Sequence, residues 1–167
     1  MKARGFTLIE VIMTLVLLSF MVWIGIAAML SGIDTWSFFT QRKDVLSDGR
    51  MALDRMLREI RMIKEPTSVA VANSTTFGFT DIDDNTITYY IDSGTINRTE
   101  NGITNGLLSN VSSLSFVYYD ASDAVVAAPL VAPSATDIRR VRIAITLSKG
   151  ASGALNLQSD VSPRNLE

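Results

Sequence analysis

The chain is expected to fold as an α+β protein, one long N-terminal helix packed on a C-terminal antiparallel β-sheet domain. Three observations predict this. Residues 6 to 33 form a long, largely apolar run interrupted by a single charge, Glu10. Apolar residues then recur at threes and fours as far as Ile63. Beyond Pro66 the pattern changes to short runs rich in Thr, Ile, Val, Phe and Tyr, the composition of strands.

The apolar run comes first. From Val11 to Ile33 no side chain is formally charged, and the polar ones are Thr14, Ser19 and Ser31. A helix of that length measures roughly 34 Å, enough to cross the hydrocarbon of a bilayer. It is too long for the core of an ordinary cleaved signal peptide, and Met29 and Leu30 follow Ala27-Ala28 where such a cut would fall. Lys2 and Arg4 precede the run, so the positive-inside tendency places the N-terminus in the cytoplasm and residues 34 to 167 outside it. Arg42 and Lys43 blunt that asymmetry. Glu10 stands out, because a carboxylate within a membrane-facing helix is costly and normally has a dedicated partner.

The helical pattern continues past the membrane edge. Val45, Leu46, Gly49, Leu53, Met56, Leu57, Ile60 and Ile63 form one stripe that must be covered. Asp54 with Arg58 and Arg55 with Glu59 are opposite charges four apart, expected on the solvated flank. Glu65-Pro66 stops the helix. One nearly continuous helix over residues 6–64, about 90 Å long, is the simplest reading. The expected segments are a leader at 1–5, a transmembrane half at 6–33, an amphipathic half at 34–65 and a strand-rich domain at 66–167.

Strands are expected at Thr75–Phe79, Thr86–Ile91, Leu114–Tyr119 and Arg140–Leu147. In the last, Val141, Ile143, Ile145 and Leu147 alternate with more polar residues, giving one buried face. Turn residues fall at 92–94, 101–102, 105–106 and 120–123. Residues 124–137 read as a long loop or edge segment, and the tail holds one short strand around Leu155–Leu157 before it frays. An antiparallel sheet with the amphipathic helix as its second layer satisfies these signals.

Composition excludes several chemistries. There is no cysteine and no histidine, which removes disulfides, thiolate nucleophiles and the commonest acid–base and metal-binding side chain. No acidic pair is singled out as a catalytic dyad. No enzyme activity, cofactor or metal is expected. Asp81, Asp83, Asp84 and Asp92 have a spacing like that of a calcium loop, but Thr86 occupies the required glycine position and Asp92 replaces the final Glu. A solvated hairpin turn is the simpler reading. Arg139, Arg140 and Arg142 read as a strand face with its ion pairs beside Asp137, and nucleic acid is not an expected partner. Tyr89, Tyr90, Tyr118 and Tyr119 should divide between core and surface. Met51, Met56 and Met62 read as packing residues.

The N-terminal residues Met1-Lys-Ala-Arg-Gly5-Phe6-Thr7-Leu8-Ile9-Glu10-Val11 resemble the processing signal of type IV pilins and type II secretion pseudopilins. The resemblance implies a pilin-like fold and cleavage between Gly5 and Phe6 by a membrane prepilin peptidase, which then methylates the Phe6 amine. It implies that Glu10 pairs with the N-terminal amine of a neighbouring subunit during assembly. Implied partners are the prepilin peptidase, other major and minor pilin or pseudopilin subunits, the inner membrane and its assembly platform. The strand-rich remainder, with Tyr89-Tyr90-Ile91-Asp92, Leu114–Asp120 and Arg139–Ile143, resembles J-type minor pseudopilins and W-type minor pilins. The chain departs from many major pilins in lacking a C-terminal cysteine pair, and Glu10 separates it from K-type tip pseudopilins. The expected function is a minor subunit of a type II secretion pseudopilus in the inner membrane and periplasm. The alternative is a minor pilin serving adhesion, twitching or DNA uptake. A monomeric anchored binding domain would need neither processing nor Glu10.

Overall fold

The computed structural model describes residues 7–130, 138–148 and 153–166. The expected leader, with the cleavage pair Gly5 and Phe6, lies outside the described residues. The chain divides into two compact units, residues 1–41 and 42–167.

Helix α1 runs over Leu8–Arg61. In the first unit its part to Ile33 is apolar, with a mean hydropathy of 2.5 over its most apolar window, and none of that window is buried. The hydroxyls there turn back on the helix. Thr14 donates to the Val11 carbonyl at 2.8 Å, Ser19 to Leu15 at 2.8 Å and Ser31 to Ala27 at 3.1 Å. Such bonds satisfy hydroxyls where water is scarce.

In the second unit the predicted stripe is covered. Val45, Leu53, Met56, Leu57 and Ile60 are buried, and Gly49 with them. The helix ends earlier than expected because the chain bonds to a strand end instead. Ile63 forms an antiparallel bridge with Asp81, Lys64 N–H donates to the Thr80 carbonyl at 3.1 Å, and Ile82 N–H donates to Met62 at 2.9 Å. Of the three methionines read as packing residues, only Met56 is buried; Met51 and Met62 are exposed.

The strands number nine among the described residues and form two antiparallel sheets, where one was expected. The first is a meander of β1 (Val69–Ala72), β2 (Thr76–Thr80), β3 (Thr86–Asp92), β4 (Thr95–Glu100) and β5 (Ile103–Leu108). The second has the order β7-β6-β8-β9, with β6 Val111–Tyr119, β7 Val125–Val126, β8 Arg140–Ser148 and β9 Ala154–Val161. Four predicted strands are present within a few residues of their expected ends. The tail does not fray after a short strand, because β9 pairs with β8 along its whole length. Asn105-Gly106 is not a turn but lies inside β5. Ser93-Gly94 and Asn101-Gly102 do turn, each with positive φ at both residues, as two-residue hairpin loops demand.

The two sheets share one core with the helix stripe. The Phe77 ring on β2 lies 5.5 Å from Phe79, and 5.7 Å from Phe116 and from Tyr118 on β6. Tyr118 donates its hydroxyl to the Asn73 carbonyl at 2.7 Å. On β8, Val141, Ile143, Ile145 and Leu147 are all buried, as their alternation predicts.

Candidate functional site

Thr7 opens α1. Its hydroxyl oxygen lies 3.4 Å from the Glu10 amide, and its carbonyl accepts from the Glu10 and Val11 amides at 3.1 and 3.2 Å. Thr7 therefore acts as the N-cap, with Glu10 at the third helical position, the spacing of a capping box. The sequence signal for that role is the spacing Thr7-x-x-Glu10. A carboxylate there also meets the positive end of the helix dipole.

Glu10 differs from every other polar side chain of the apolar segment. Thr14, Ser19 and Ser31 bond to their own helix, whereas no hydrogen bond or ion pair reaches the Glu10 carboxylate among the described residues. Leu8, Ile9, Val11 and Met13 around it are exposed. An exposed apolar surface with one unmatched carboxylate can recruit a cation carried by another apolar surface. Among the described residues 7–33, Glu10 is the one titratable side chain.

The other candidates resolve into structure. Asp81 is buried; its Oδ1 accepts from the Asp83 and Asn85 amides, both at 2.9 Å. Asp92 sits at the far end of β3, roughly 20 Å away along a seven-residue strand. The two cannot ligate one ion, so the segment is the expected turn. Among the described residues no group of three metal-ligating side chains converges.

Arg140 and Arg142 are ion-paired, as expected for a strand face, but to residues not anticipated. Asp160 on β9 accepts from both at 2.7 Å, and Asp123 accepts from Arg140 at 2.9 Å. Asp137 lies outside the described residues. The Arg142 hydrogen bond first, and that of Arg140 against the opposing effect of burial, hold the Asp160 carboxyl below its ordinary range. Both guanidiniums cover the Tyr119 ring, at 4.0 and 5.0 Å from its centre. That cover explains why neighbouring Tyr118 and Tyr119 are both buried, instead of one facing water.

Glu59 does not lie on a simple solvated flank. Its carboxylate accepts from Arg55 Nε at 3.0 Å, from Arg98 Nε at 2.9 Å and from the Tyr89 hydroxyl. Glu100 takes the other side of the Arg98 guanidinium at 2.8 and 2.9 Å. Burial first, then the bond to Glu59, pushes the Tyr89 hydroxyl well above the usual tyrosine range. Arg98 likewise lies above its ordinary value, through Glu100 first and Glu59 next, with burial opposing. Charges saturated in this way fasten helix to sheet.

Residues 1–31 match the family model of the prokaryotic N-terminal methylation motif. The match spans the leader and most of the apolar segment, including Gly5, Phe6 and Glu10, and supports a type IV pilin-like or pseudopilin protein. The motif implies processing by a prepilin peptidase and assembly with other pilin subunits, a structural role. The apolar stretch of α1 fits a single-pass inner-membrane protein of that kind. No curated protein matches the chain.

Proposed function

We propose that the chain is a minor pseudopilin of a type II secretion system, closest in kind to the J-type subunits. After cleavage between Gly5 and Phe6 and methylation of the Phe6 amine, it enters a periplasmic pseudopilus through its N-terminal helix. The observation that carries this reading is the unmatched Glu10 carboxylate, set four residues after Phe6 within a methylation motif. The cation it awaits is the N-terminal amine of a neighbouring subunit. Buried between helices, the pair is register-specific, because leaving either charge alone costs about 3–5 kcal/mol. The assembly platform in the inner membrane and the other pseudopilins are its partners. Its domain outside the membrane contacts those subunits on the filament surface.

The test is the intact mass and N-terminal peptide mass of the chain expressed with and without a prepilin peptidase. A peptidase-dependent chain beginning at Phe6 and carrying one added methyl is expected. An unprocessed N-terminus beside active peptidase would overturn the reading and favour a plain membrane anchor. Loss of secreted cargo on deletion, with surface pili intact, then separates a secretion subunit from a minor pilin.

A further inference from the structure

At the end of α1 the second unit carries a cleft of about 480 Å³, lined by Arg58, Arg61, Met62, Ile82, Arg164 and Asn165. It is built from three separate segments that are tied together. The Ile82 amide bonds to the Met62 carbonyl at 2.9 Å, joining the two apolar walls. Asn165 donates from Nδ2 to the Ile63 carbonyl at 2.9 Å, which brings Arg164 of the terminal 3₁₀ turn to the helix end. Val161 and Pro163 are buried and anchor the tail that carries it.

The charge of this cleft is unbalanced. Among the described residues, none of Arg58, Arg61 and Arg164 has a carboxylate within 4 Å. Elsewhere in the same unit Arg55, Arg98, Arg140 and Arg142 sit on acidic partners, while Arg50 on α1, which does not line the cleft, has no carboxylate within 4 Å among the described residues. Three like charges around one concavity repel one another and favour an anionic occupant. Beside them Met62 and Ile82 are 41% and 49% exposed, large apolar side chains that a small inorganic anion would leave wet.

We infer that this cleft is a docking site for an acidic, leucine-like segment of a partner protein, whose carboxylates meet Arg58, Arg61 and Arg164 while its apolar side chains cover Met62 and Ile82. Arginine suits the task because its planar fork can take a carboxylate through two parallel bonds. The two apolar walls are joined by a backbone bond before the partner arrives, so the ordering that opposes binding is confined to the arginine side chains and the tail turn. The site belongs to the domain alone and holds whether the chain enters a filament or remains a solitary anchored protein.

The test uses the full chain in non-ionic detergent micelles. The probe is the blocked peptide acetyl-Leu-Glu-Leu-Asp-Leu-Glu-amide, and binding is followed through the arginine side-chain NMR signals. The expected result is saturable binding that shifts the signals of Arg58, Arg61 and Arg164. Each single change, Arg58→Ala, Arg61→Ala or Arg164→Ala, should weaken it roughly tenfold or more, while Arg50→Ala outside the cleft leaves it unchanged. The glutamine/asparagine version of the peptide should not bind. Raising salt from about 0.05 to about 0.3 M should weaken the complex. Equal peptide binding by the triple alanine variant, or none at millimolar peptide, would overturn the inference. So would inorganic phosphate or anionic lipid vesicles engaging the three arginines more tightly than the peptide does.

Discussion

Replacing Glu59 by alanine removes the acceptor on which three side chains converge. The Arg55 bond contributes little, since Arg55 is about half exposed and such pairs are worth at most about 1 kcal/mol. Arg98 is 7% exposed; its lost charge-assisted bond is worth about 1.5–3 kcal/mol. Glu100 still holds its other two nitrogens, so the guanidinium is not left wholly unpaired. The Tyr89 hydroxyl, on a fully buried residue, loses its acceptor at about 1–3 kcal/mol. Together these give a destabilisation of about 3–5 kcal/mol. Tyr89→Phe alone should cost about 1 kcal/mol, and the double variant about 1 kcal/mol or more less than the sum, because the orphaned hydroxyl is gone. No described side chain before Val45 is buried, so a chain starting at Arg42 should fold without detergent and serve for the measurement. It contains neither tryptophan, since these are Trp23 and Trp36, so urea unfolding is followed by far-ultraviolet circular dichroism. Additive effects within about 0.5 kcal/mol, or a loss under about 1 kcal/mol for Glu59→Ala, would refute the view that this network fastens helix to sheet.

Three further outcomes are expected. Phe77→Ala, which empties the meeting point of four rings, should lower stability by about 3–5 kcal/mol in the same assay. Asp160→Asn should flatten the acid limb of thermal stability. The depressed Asp160 carboxyl contributes above its ordinary value of 3.8, and that contribution is lost as pH falls through the lower folded-state value. Melting temperatures between pH 5 and 2.5 should therefore fall more steeply for the unaltered chain than for the variant. At Gly49 an added Cβ would lie 2.6 Å from Cδ1 of both Leu147 and Leu157. Gly49→Ala should stay within about 1 kcal/mol, its helical gain offsetting the displaced leucine ends, whereas Gly49→Val should lose about 1–3 kcal/mol by urea midpoint.

The second half of the helix and strand β8 were legible because a single face decides their burial and the period shows plainly, and the first half because it is apolar on every side. Strands β4 and β5 were not. In β4 the inward positions are Ile96 and Arg98, and an arginine hidden by Glu59 and Glu100 breaks the apolar alternation. In β5 the residues Ile103 to Gly106 are exposed, so no burial shaped their composition, and Asn105-Gly106 carries turn chemistry into a strand. Division into two sheets was invisible because alternation fixes which face is buried but not which strands pair. At the candidate site Glu10 was readable as the lone charge in an apolar run. Its cap, Thr7, was readable too, but only as a spacing. The arginine cleft had no sequence signal, since Arg58 and Arg164 meet only through the fold.

The bond from Asn165 to Ile63 ties positions 102 residues apart, closing almost the entire strand-rich domain into a ring without a covalent link. A lone amide contact of this type is worth about 1 kcal/mol, so the clasp opens and closes thermally while β9 holds the tail nearby. Reducing agents have no purchase on it, as the chain has no cysteine. Mechanical load does: tension applied at the last residues would reach the end of α1 through that clasp, beside the register of β9 against β8. Under strain the tail turn should release first, leaving the paired sheets whole.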